Sequence, residues 1–144
     1  MRFRIYDIEP MGAVRTTQRG KWKDAAANRY ANYKKYVGLK VRQHAVVDGP
    51  SRAAIGIKSI TFYMPIPKSG YTSYIGDDGK RKRRKVNPGD FHTSKPDIDN
   101  LIKGVFDALN GIVWVDDGQV CHIGEQKKIY SHEPGIELEV IELF

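Results

Sequence analysis

One stretch of this chain has the periodicity of an amphipathic helix, and the segments around it can be placed relative to that helix. Its apolar residues recur at three- and four-residue spacing, which is typical of a single buried helical face. They are Ile98, Ile102, Val105 and Leu109. Pro96 suits a first helical turn, and Asn110-Gly111 supplies a left-handed stop. The sequence therefore predicts a helix from about residue 96 to residue 109.

The rest of the chain predicts one further helix and several strands. The helix runs from about Ala25 to Val37, with Asp24 as its N-cap and Gly38 as its end. Alternating or β-branched segments predict strands at residues 2–8, 53–64, 112–115, 120–130 and 136–143. This order predicts an α+β fold with two main helices and a small mixed or antiparallel sheet, in one domain covering residues 1–144.

Residues 65–93 form a long segment without steady periodicity. The segment contains the run Lys80-Arg-Lys-Arg-Arg-Lys85, and Asp77-Asp78-Gly79 precedes that run. Two structures fit this pattern: a short hairpin that turns at Gly79, or a mobile loop. The basic run itself has no interleaved aromatic residue, so it predicts contact with phosphates rather than stacking on bases.

Charge is divided unevenly along the chain. Residues 1–96 carry 21 Lys and Arg against 7 Asp and Glu, whereas residues 97–144 carry 3 against 10. A basic part joined to a carboxylate-rich part favours phosphate binding combined with a cation site, and a merely solvated acidic face is the alternative. A single cysteine, Cys121, excludes an intrachain disulfide and a cysteine zinc cage. No apolar run approaches the length of a membrane span, so we expect a cytoplasmic protein.

Asp97 and Asp99 stand at the beginning of the helix at residues 96–109. Capping explains one such carboxylate well and two less well. If residues 112–117 return as an extended strand antiparallel to the helix, both paths measure about 17 Å, and Asp116 or Asp117 comes back beside the first pair. Three converging carboxylates would favour a hard cation, Mg²⁺ with Mn²⁺ as a substitute. One of Asp116 and Asp117 is expected to be a direct ligand.

Lys103 lies one helical turn after Asp99 on the same face. It could form an ordinary ion pair with Asp99, or it could steady a phosphate near the metal, with Asp107 orienting it. The other basic residues predicted to contact DNA phosphates occur in the first 95 residues. They are Arg15, Arg19, Lys21, Lys23, Lys80, Arg81, Lys82, Arg83, Arg84, Lys85 and Lys95.

Two motifs resemble those of the RusA family of Holliday-junction resolvases. They are Lys95-Pro-Asp-Ile-Asp-Asn-Leu-Ile-Lys103 and Trp114-Val-Asp-Asp-Gly-Gln-Val120. The resemblance implies that Asp97, Asp99 and Asp117 bind the metal and act with Lys103 in catalysis. It also implies a Mg²⁺-dependent homodimer that makes paired symmetric nicks in a four-way DNA junction. The segment at 65–93 is an insertion relative to the compact form of that family.

Two other functions remain open at this stage. Pro96-Asp97 with Glu125-Gln126-Lys127 also fits the short PD…(D/E)xK pattern of restriction-like nucleases, although that reading leaves Asp99, Lys103 and Asp117 without roles. A non-catalytic protein that binds branched DNA is the second alternative. The four histidines show no metal-binding spacing, and among them only His92, just before the first motif, merits a test.

Overall fold

Two α-helices pack together beside a four-stranded mixed sheet, and a two-stranded hairpin forms a second, smaller sheet. The computed structural model describes residues 1–15, 25–44 and 49–144. In chain order the elements are β1 (Arg2–Tyr6), α1 (Ala25–His44), β2 (Ile55–Pro65), β3 (Tyr71–Ile75), β4 (Arg81–Lys85), α2 (Ile98–Leu109), a 3₁₀ turn (Asp117–Gln119), β5 (Val120–Ser131) and β6 (Gly135–Glu142). The predicted α+β class, with two main helices and a mixed sheet, is confirmed.

The main sheet has the strand order β1-β6-β2-β5. Its neighbours are antiparallel except for β2 and β5, which run parallel. A parallel pair needs a crossover connection, and here residues 66–119 provide it. The central strand β2 is the most apolar, with Ile57, Ile60 and Phe62 at most 1% exposed. The sheet therefore positions both ends of the crossover, which contains the hairpin and α2.

Helix α2 forms where the apolar stripe predicts it. Ile102, Val105 and Leu109 are at most 8% exposed and Ile98 is partly buried, so this stripe is the buried face. Asp97 is the N-cap residue, and Pro96 precedes the cap rather than lying in the first turn. Gly111 has a φ of 78°, the left-handed conformation expected just after a helix end. The structure thus presents Asp97 and Asp99 at the helix N-terminus.

Helix α1 is longer than the sequence predicts, because Gly38 does not end it. The helix continues to His44. A Cβ atom at position 38 would lie 2.7 Å from Cδ1 of Ile112, so this buried glycine lets the helix approach the turn after α2. The predicted cap, Asp24, lies outside the described residues.

The predicted strand at residues 112–115 is wrong. These residues form a turn in which Trp114 makes an isolated bridge to Ser51. The Trp114 side chain is fully buried, and its Nε1 donates to Asn110 Oδ1 at 2.7 Å. The ring of Phe106 meets the indole edge-on, with ring centroids 5.5 Å apart. Burial of the tryptophan therefore folds this segment back on the end of α2.

The hairpin alternative for residues 65–93 is confirmed. Strands β3 and β4 pair antiparallel, with Gly79 at a φ of 76° in the turn between them. Beyond β4 the chain attaches to the outer edge of β5, because Gly89 N donates to Tyr130 O and Phe91 bridges Ile129. The hairpin is thus rooted beside the end of β5. Within the described ranges, neither helix has the length and apolar character to cross a membrane.

Candidate active site

Asp97 and Asp99 are exposed at the N-terminus of α2. Within the described part of the chain the Asp97 carboxylate makes no capping hydrogen bond, and its side chain is 64% exposed. Its ion-pair partner is Lys95, with Nζ 3.5 Å from Oδ2. Asp99 Oδ1 accepts the backbone N–H of Asn100 at 2.9 Å. Capping therefore does not account for Asp97, whose carboxylate remains available to an external cation.

Lys103 is exposed on α2 one turn after Asp99. Among residues 1–15, 25–44 and 49–144 it forms no ion pair, so neither of its predicted partners, Asp99 and Asp107, holds it. Asp107 instead accepts a hydrogen bond from the Tyr30 hydroxyl at 2.7 Å. Burial raises the pKa of Tyr30, and Asp107 raises it further, so this hydroxyl stays protonated. The Lys103 ammonium is consequently available to an anion beside Asp99.

Lys128, on β5, is a residue of the site that the sequence did not reveal. Its Nζ donates to the carbonyl oxygens of Ser94 and Pro96 at 2.5 and 2.6 Å. Burial lowers the pKa of Lys128, the Asp97 charge opposes that change, and Lys95 adds to it. Lys128 therefore fixes the backbone immediately before Asp97. More than thirty residues separate Lys128 from Ser94 and Pro96 in the sequence, so no local pattern predicts this contact.

The N-terminal segment packs across α2 behind the carboxylates. Asn100 and Ala13 exchange two hydrogen bonds, from Ala13 N to Asn100 O at 3.1 Å and from Asn100 Nδ2 to Ala13 O at 3.2 Å. An open cavity of about 940 Å³ lies between this segment, α1 and residues 95–100. Asp97 is at its border, so the candidate site has a concave surface beside it.

The second predicted acidic pair lies in the 3₁₀ turn before β5. Asp116 has a structural role there, because its carboxylate accepts from Gly118 N at 3.1 Å and its own N–H donates to Gln119 Oε1. Gln119 Nε2 also donates to the carbonyls of Ser51 and Ala53. The Asp117 carboxylate makes no hydrogen bond within the described residues. Of this pair, Asp117 is the residue with a free carboxylate.

The structure does not bring Asp117 beside Asp97 within one chain. Lys128, which binds the backbone before Asp97, lies eight residues along β5 from Val120, a span of about 26 Å in an extended strand. Asp117 precedes Val120, next to the C-terminal end of α2. Among the described residues no group of three or more His, Cys, Asp or Glu is placed to hold a metal ion. The extended return from the end of α2, which predicted convergence, is replaced by the turn around Trp114.

The predicted DNA-contacting residues are spread over three regions. Arg15 is exposed at the end of the first described segment, and Lys95 adjoins Asp97. The run at 80–85 is exposed, with Lys80 before β4 and the remaining five residues on it. Arg19, Lys21 and Lys23 lie outside the residues that the structure describes. The basic surface at 80–95 thus belongs to the same end of the sheet as Asp97.

Comparison with known proteins finds a family match that covers both motifs and most of the chain. The model of the family described as Endodeoxyribonuclease RusA matches residues 7–141. The chain belongs to the RusA family. The resemblance predicted from the two motifs is therefore confirmed, and with it membership of a family of DNA-cleaving enzymes. A relative from Bacillus subtilis (strain 168), "Uncharacterized protein YqaN", is 36% identical over 140 residues, which cover 93% of this chain and 87% of that protein.

Hydrogen bonds explain the structural roles of three uncharged residues of the two motifs. Trp114 and Gln119 hold the turn that carries Asp117, and Asn100 holds the N-terminal segment against α2. These contacts do not involve the charged side chains of the two motifs that are predicted to act in catalysis, which are Asp97, Asp99 and Lys103 at one end of α2 and Asp117 at the other. The roles of these four residues in metal binding and catalysis stay predictions.

Proposed function

We propose that this chain is a Mg²⁺-dependent, structure-selective endodeoxyribonuclease that resolves four-way DNA junctions by paired symmetric nicks in recombination and repair. The observation that carries the proposal is the group of exposed charged side chains at the N-terminus of α2. The Asp97 side chain makes no capping hydrogen bond, and Lys103 has no ion pair within the described chain. The chain belongs to a family of endodeoxyribonucleases, and this region carries the first of the two motifs that resemble that family.

The donor set fits a hard cation. Asp97 and Asp99 present carboxylate oxygens, which Mg²⁺ and Mn²⁺ prefer over nitrogen or sulfur ligands. When bound, the cation would lower the pKa of the attacking water and offset charge on the phosphate. The two aspartates would hold the cation, and Lys128 would keep the chain before Asp97 in place. Lys103 would direct its ammonium toward the phosphate, where negative charge increases in the transition state.

A homodimer offers a way to complete the site with Asp117. Within one chain this carboxylate lies at the far end of α2, a helix of 12 residues and about 18 Å. In a two-fold dimer each chain can contribute its α2 N-terminus to one site and its Asp117 turn to the other. Such a dimer also has two related sites, as paired cuts in a symmetric junction require. We propose that Asp97 and Asp99 of one chain join Asp117 of the second copy.

The restriction-like alternative is disfavoured by the register of β5. Lys128 points toward Pro96 and the backbone before Asp97. Glu125 lies three positions earlier in a strand whose pairing with β2 is regular over residues 125–131, so its side chain leaves the opposite face. Glu125 pairs there with Lys127 at 3.3 Å. A PD…(D/E)xK site would need these two residues on the Asp97 side.

The test of the proposal is cleavage of a labelled four-way junction, compared with linear duplex of the same sequence. With Mg²⁺ the unaltered protein should cut the junction at symmetric positions, and EDTA should abolish cutting. Asp97→Asn should retain junction binding but lose cutting, because an amide is a poorer ligand for Mg²⁺ than a carboxylate. Equal cutting of linear duplex would contradict junction selectivity. Binding without any cutting would support the non-catalytic alternative, and loss of cutting in Glu125→Gln but not in Asp117→Asn would support the restriction-like one.

A further inference from the structure

The hairpin of β3, β4 and their turn, residues 71–85 and here called the basic hairpin, has two exposed faces. Every residue of β4 is exposed, and in β3 only Thr72 is partly covered. Side chains alternate between faces along each strand, and residues paired across strands share a face. The register pairs Tyr71 with Lys85 and Tyr74 with Lys82. One face therefore carries Tyr71, Ser73, Ile75, Arg81, Arg83 and Lys85, and the other carries Thr72, Tyr74, Lys82 and Arg84.

Each face combines cations with an aromatic ring. The guanidinium of Arg83 lies 4.5 Å from the Tyr71 ring centroid on the first face, and that of Arg84 lies 5.7 Å from the Tyr74 centroid on the second. The tyrosines are 44% and 40% exposed, so each ring remains partly accessible. The sequence run alone suggested no aromatic partner, because the rings come from the opposite strand. This correction makes the hairpin a cationic and aromatic surface on both sides.

The turn of the hairpin carries only a small opposing charge. Residues 71–85 contain six Lys and Arg against Asp77 and Asp78. Asp78 pairs with Lys82 at 3.7 Å and accepts the backbone N–H of Lys80 at 3.0 Å, so it mainly shapes the turn. Arg81 donates to Ser73 Oγ at 3.2 Å on the first face. Both contacts are exposed, so the cations of the two faces, Arg81 and Lys82 included, remain accessible to phosphates.

The root of the hairpin is fixed near the candidate active site. Val86 is 6% exposed, and its N–H donates to Gly70 O at 2.9 Å. The next residues attach to β5 as far as His92, whose N–H donates to the carbonyl of Lys128, the residue that also binds the backbone before Asp97. From Gly70 to the turn at Asp77 the extended chain spans about 23 Å. The hairpin can therefore reach DNA well beyond the site.

We propose that the basic hairpin inserts between two arms of a branched DNA and contacts a phosphate backbone on each of its faces. This inference rests on the proposed function and names the element that recognises the branch. A two-stranded ribbon in a major groove turns one face to the base edges and the other outward, so it needs cations on one face only. Cations on both exposed faces fit a site with phosphates on both sides. Neighbouring arms at a four-way junction provide such a site.

Two double variants, matched in charge, test the two faces separately. They are Arg81→Ser with Arg83→Ser for the first face and Lys82→Ser with Arg84→Ser for the second. Both sets of residues are exposed, so folding is not at risk. Affinity of the full-length protein for the junction and for linear duplex is measured from 50 to 200 mM salt, in EDTA so that no strand is cut. A denaturing gel checks that the DNA is intact.

Each double variant should make the slope of log affinity against log salt concentration less steep by about 1.8. Between 50 and 200 mM salt, the fold-loss of junction affinity should therefore be roughly tenfold smaller than for the unaltered protein. In the variant that combines all four substitutions, the slope should change by about twice that amount. For linear duplex, the substitutions on at most one face should change the slope. An effect of only one face on the junction would overturn the proposal in favour of groove binding. No effect of either face would exclude DNA contact by the hairpin. If the unaltered protein instead fails to prefer or to cut the junction, the proposed function fails, whatever the hairpin variants do.

Discussion

At the scale of single residues, the candidate site depends on a lysine from strand β5, which is distant in sequence from the residues of α2. Lys128 binds two carbonyls of the segment that leads into Asp97, so it acts on the carboxylate through the backbone. The charged residues of the two motifs could be predicted from the sequence because they are close together in it or are spaced by helix geometry. The position of Lys128 depends on strand register, which no local pattern specifies.

Replacing Lys128 by Met should misplace Asp97 without removing a metal ligand. We expect junction cleavage to slow by about 10- to 100-fold, as is typical when a group that orients a ligand is lost, with junction affinity little changed. Single-turnover rates measured apart from binding would show this split, and Lys128→Arg should recover part of the rate. Lys127→Met is the matched control, because Lys127 faces the other side of β5 and pairs with Glu125. Equal slowing in both variants would contradict a positioning role.

His92 predicts a pH dependence of stability. Burial lowers the pKa of His92, and the Lys128 cation lowers it further, while its ring lies 4.8 Å from that of Tyr130. As pH falls below about 6.5, the unfolded chain takes up a proton at His92 before the folded protein does, so the folded state loses stability. The melting temperature should therefore fall between pH 7.5 and pH 5.5. This fall should be smaller in His92→Gln, whereas the exposed-site variant His132→Gln should retain it.

At the scale of secondary structure elements, two helix glycines have different neighbours. A Cβ at Gly104 of α2 would lie 2.9 Å from the backbone oxygen of Met11. One at Gly38 of α1 would lie 2.7 Å from the end of the Ile112 side chain, and its nearest backbone atom, Ala108 O, would be at an ordinary contact distance of 3.5 Å. Backbone cannot move aside as easily as a flexible side chain. Gly104 therefore sets how closely the N-terminal segment approaches α2, and through Asn100 it affects the wall of the cavity beside Asp97.

Gly104→Ala should destabilise the protein, and Gly38→Ala should be nearly neutral. Alanine favours a helix interior over glycine by about 1 kcal/mol in both variants. At position 38 the shift of the Ile112 side chain offsets this gain, whereas overpacking against backbone costs about 1–3 kcal/mol at position 104. Denaturant unfolding of the two variants gives the comparison, with the same gain in helix propensity in each. A more stable Gly104→Ala protein would show that the N-terminal segment is not held against α2.

The elements that were predicted correctly are those whose own spacing of apolar residues is enough to specify a helix or a strand. The stripe of α2 and the alternation of β6 specify a buried face without reference to the rest of the fold. Gly38 and residues 112–115 depend on each other instead, because the glycine makes room for Ile112. Among the residues that the structure describes, the short apolar segment pairs only through isolated bridges of Trp114, and burial of Trp114 takes precedence over its β propensity. Such mutual dependence is not visible in either segment alone.

At the scale of the whole molecule, the two halves of the proposed site lie at opposite ends of α2. This separation follows from the crossover between β2 and β5, in which the helix runs one way and β5 returns. The charged residues of the site were predicted from the sequence, but the distance between Asp97 and Asp117 was not, because the prediction placed a strand directly after the helix. A chain that presents complementary parts of one site at its two ends is suited to a two-fold assembly.

Mixing two inactive variants tests this assembly. Asp97→Asn and Asp117→Asn should each be inactive, and a mixed dimer should have one site with both substitutions and one with neither. When the variants are coexpressed or refolded together, nicking should return to about a quarter of the unaltered activity, given random pairing and one working site in each mixed dimer. Most products should be single nicks rather than resolved junctions. A mixture that stays inactive would indicate that each site is built within one chain.

The basic hairpin, the proposed DNA-contacting element, is structurally separate from the candidate active site within the crossover. Both of its ends are closed by the hydrogen bond between Val86 and Gly70, so the segment between them can lengthen, shorten or change charge without altering the register of β2 and β5. Loop length between fixed ends carries only a small entropic cost. If the basic hairpin contacts DNA as proposed, changes in this segment would alter which DNA structures the protein binds while the carboxylates and the core stay as they are.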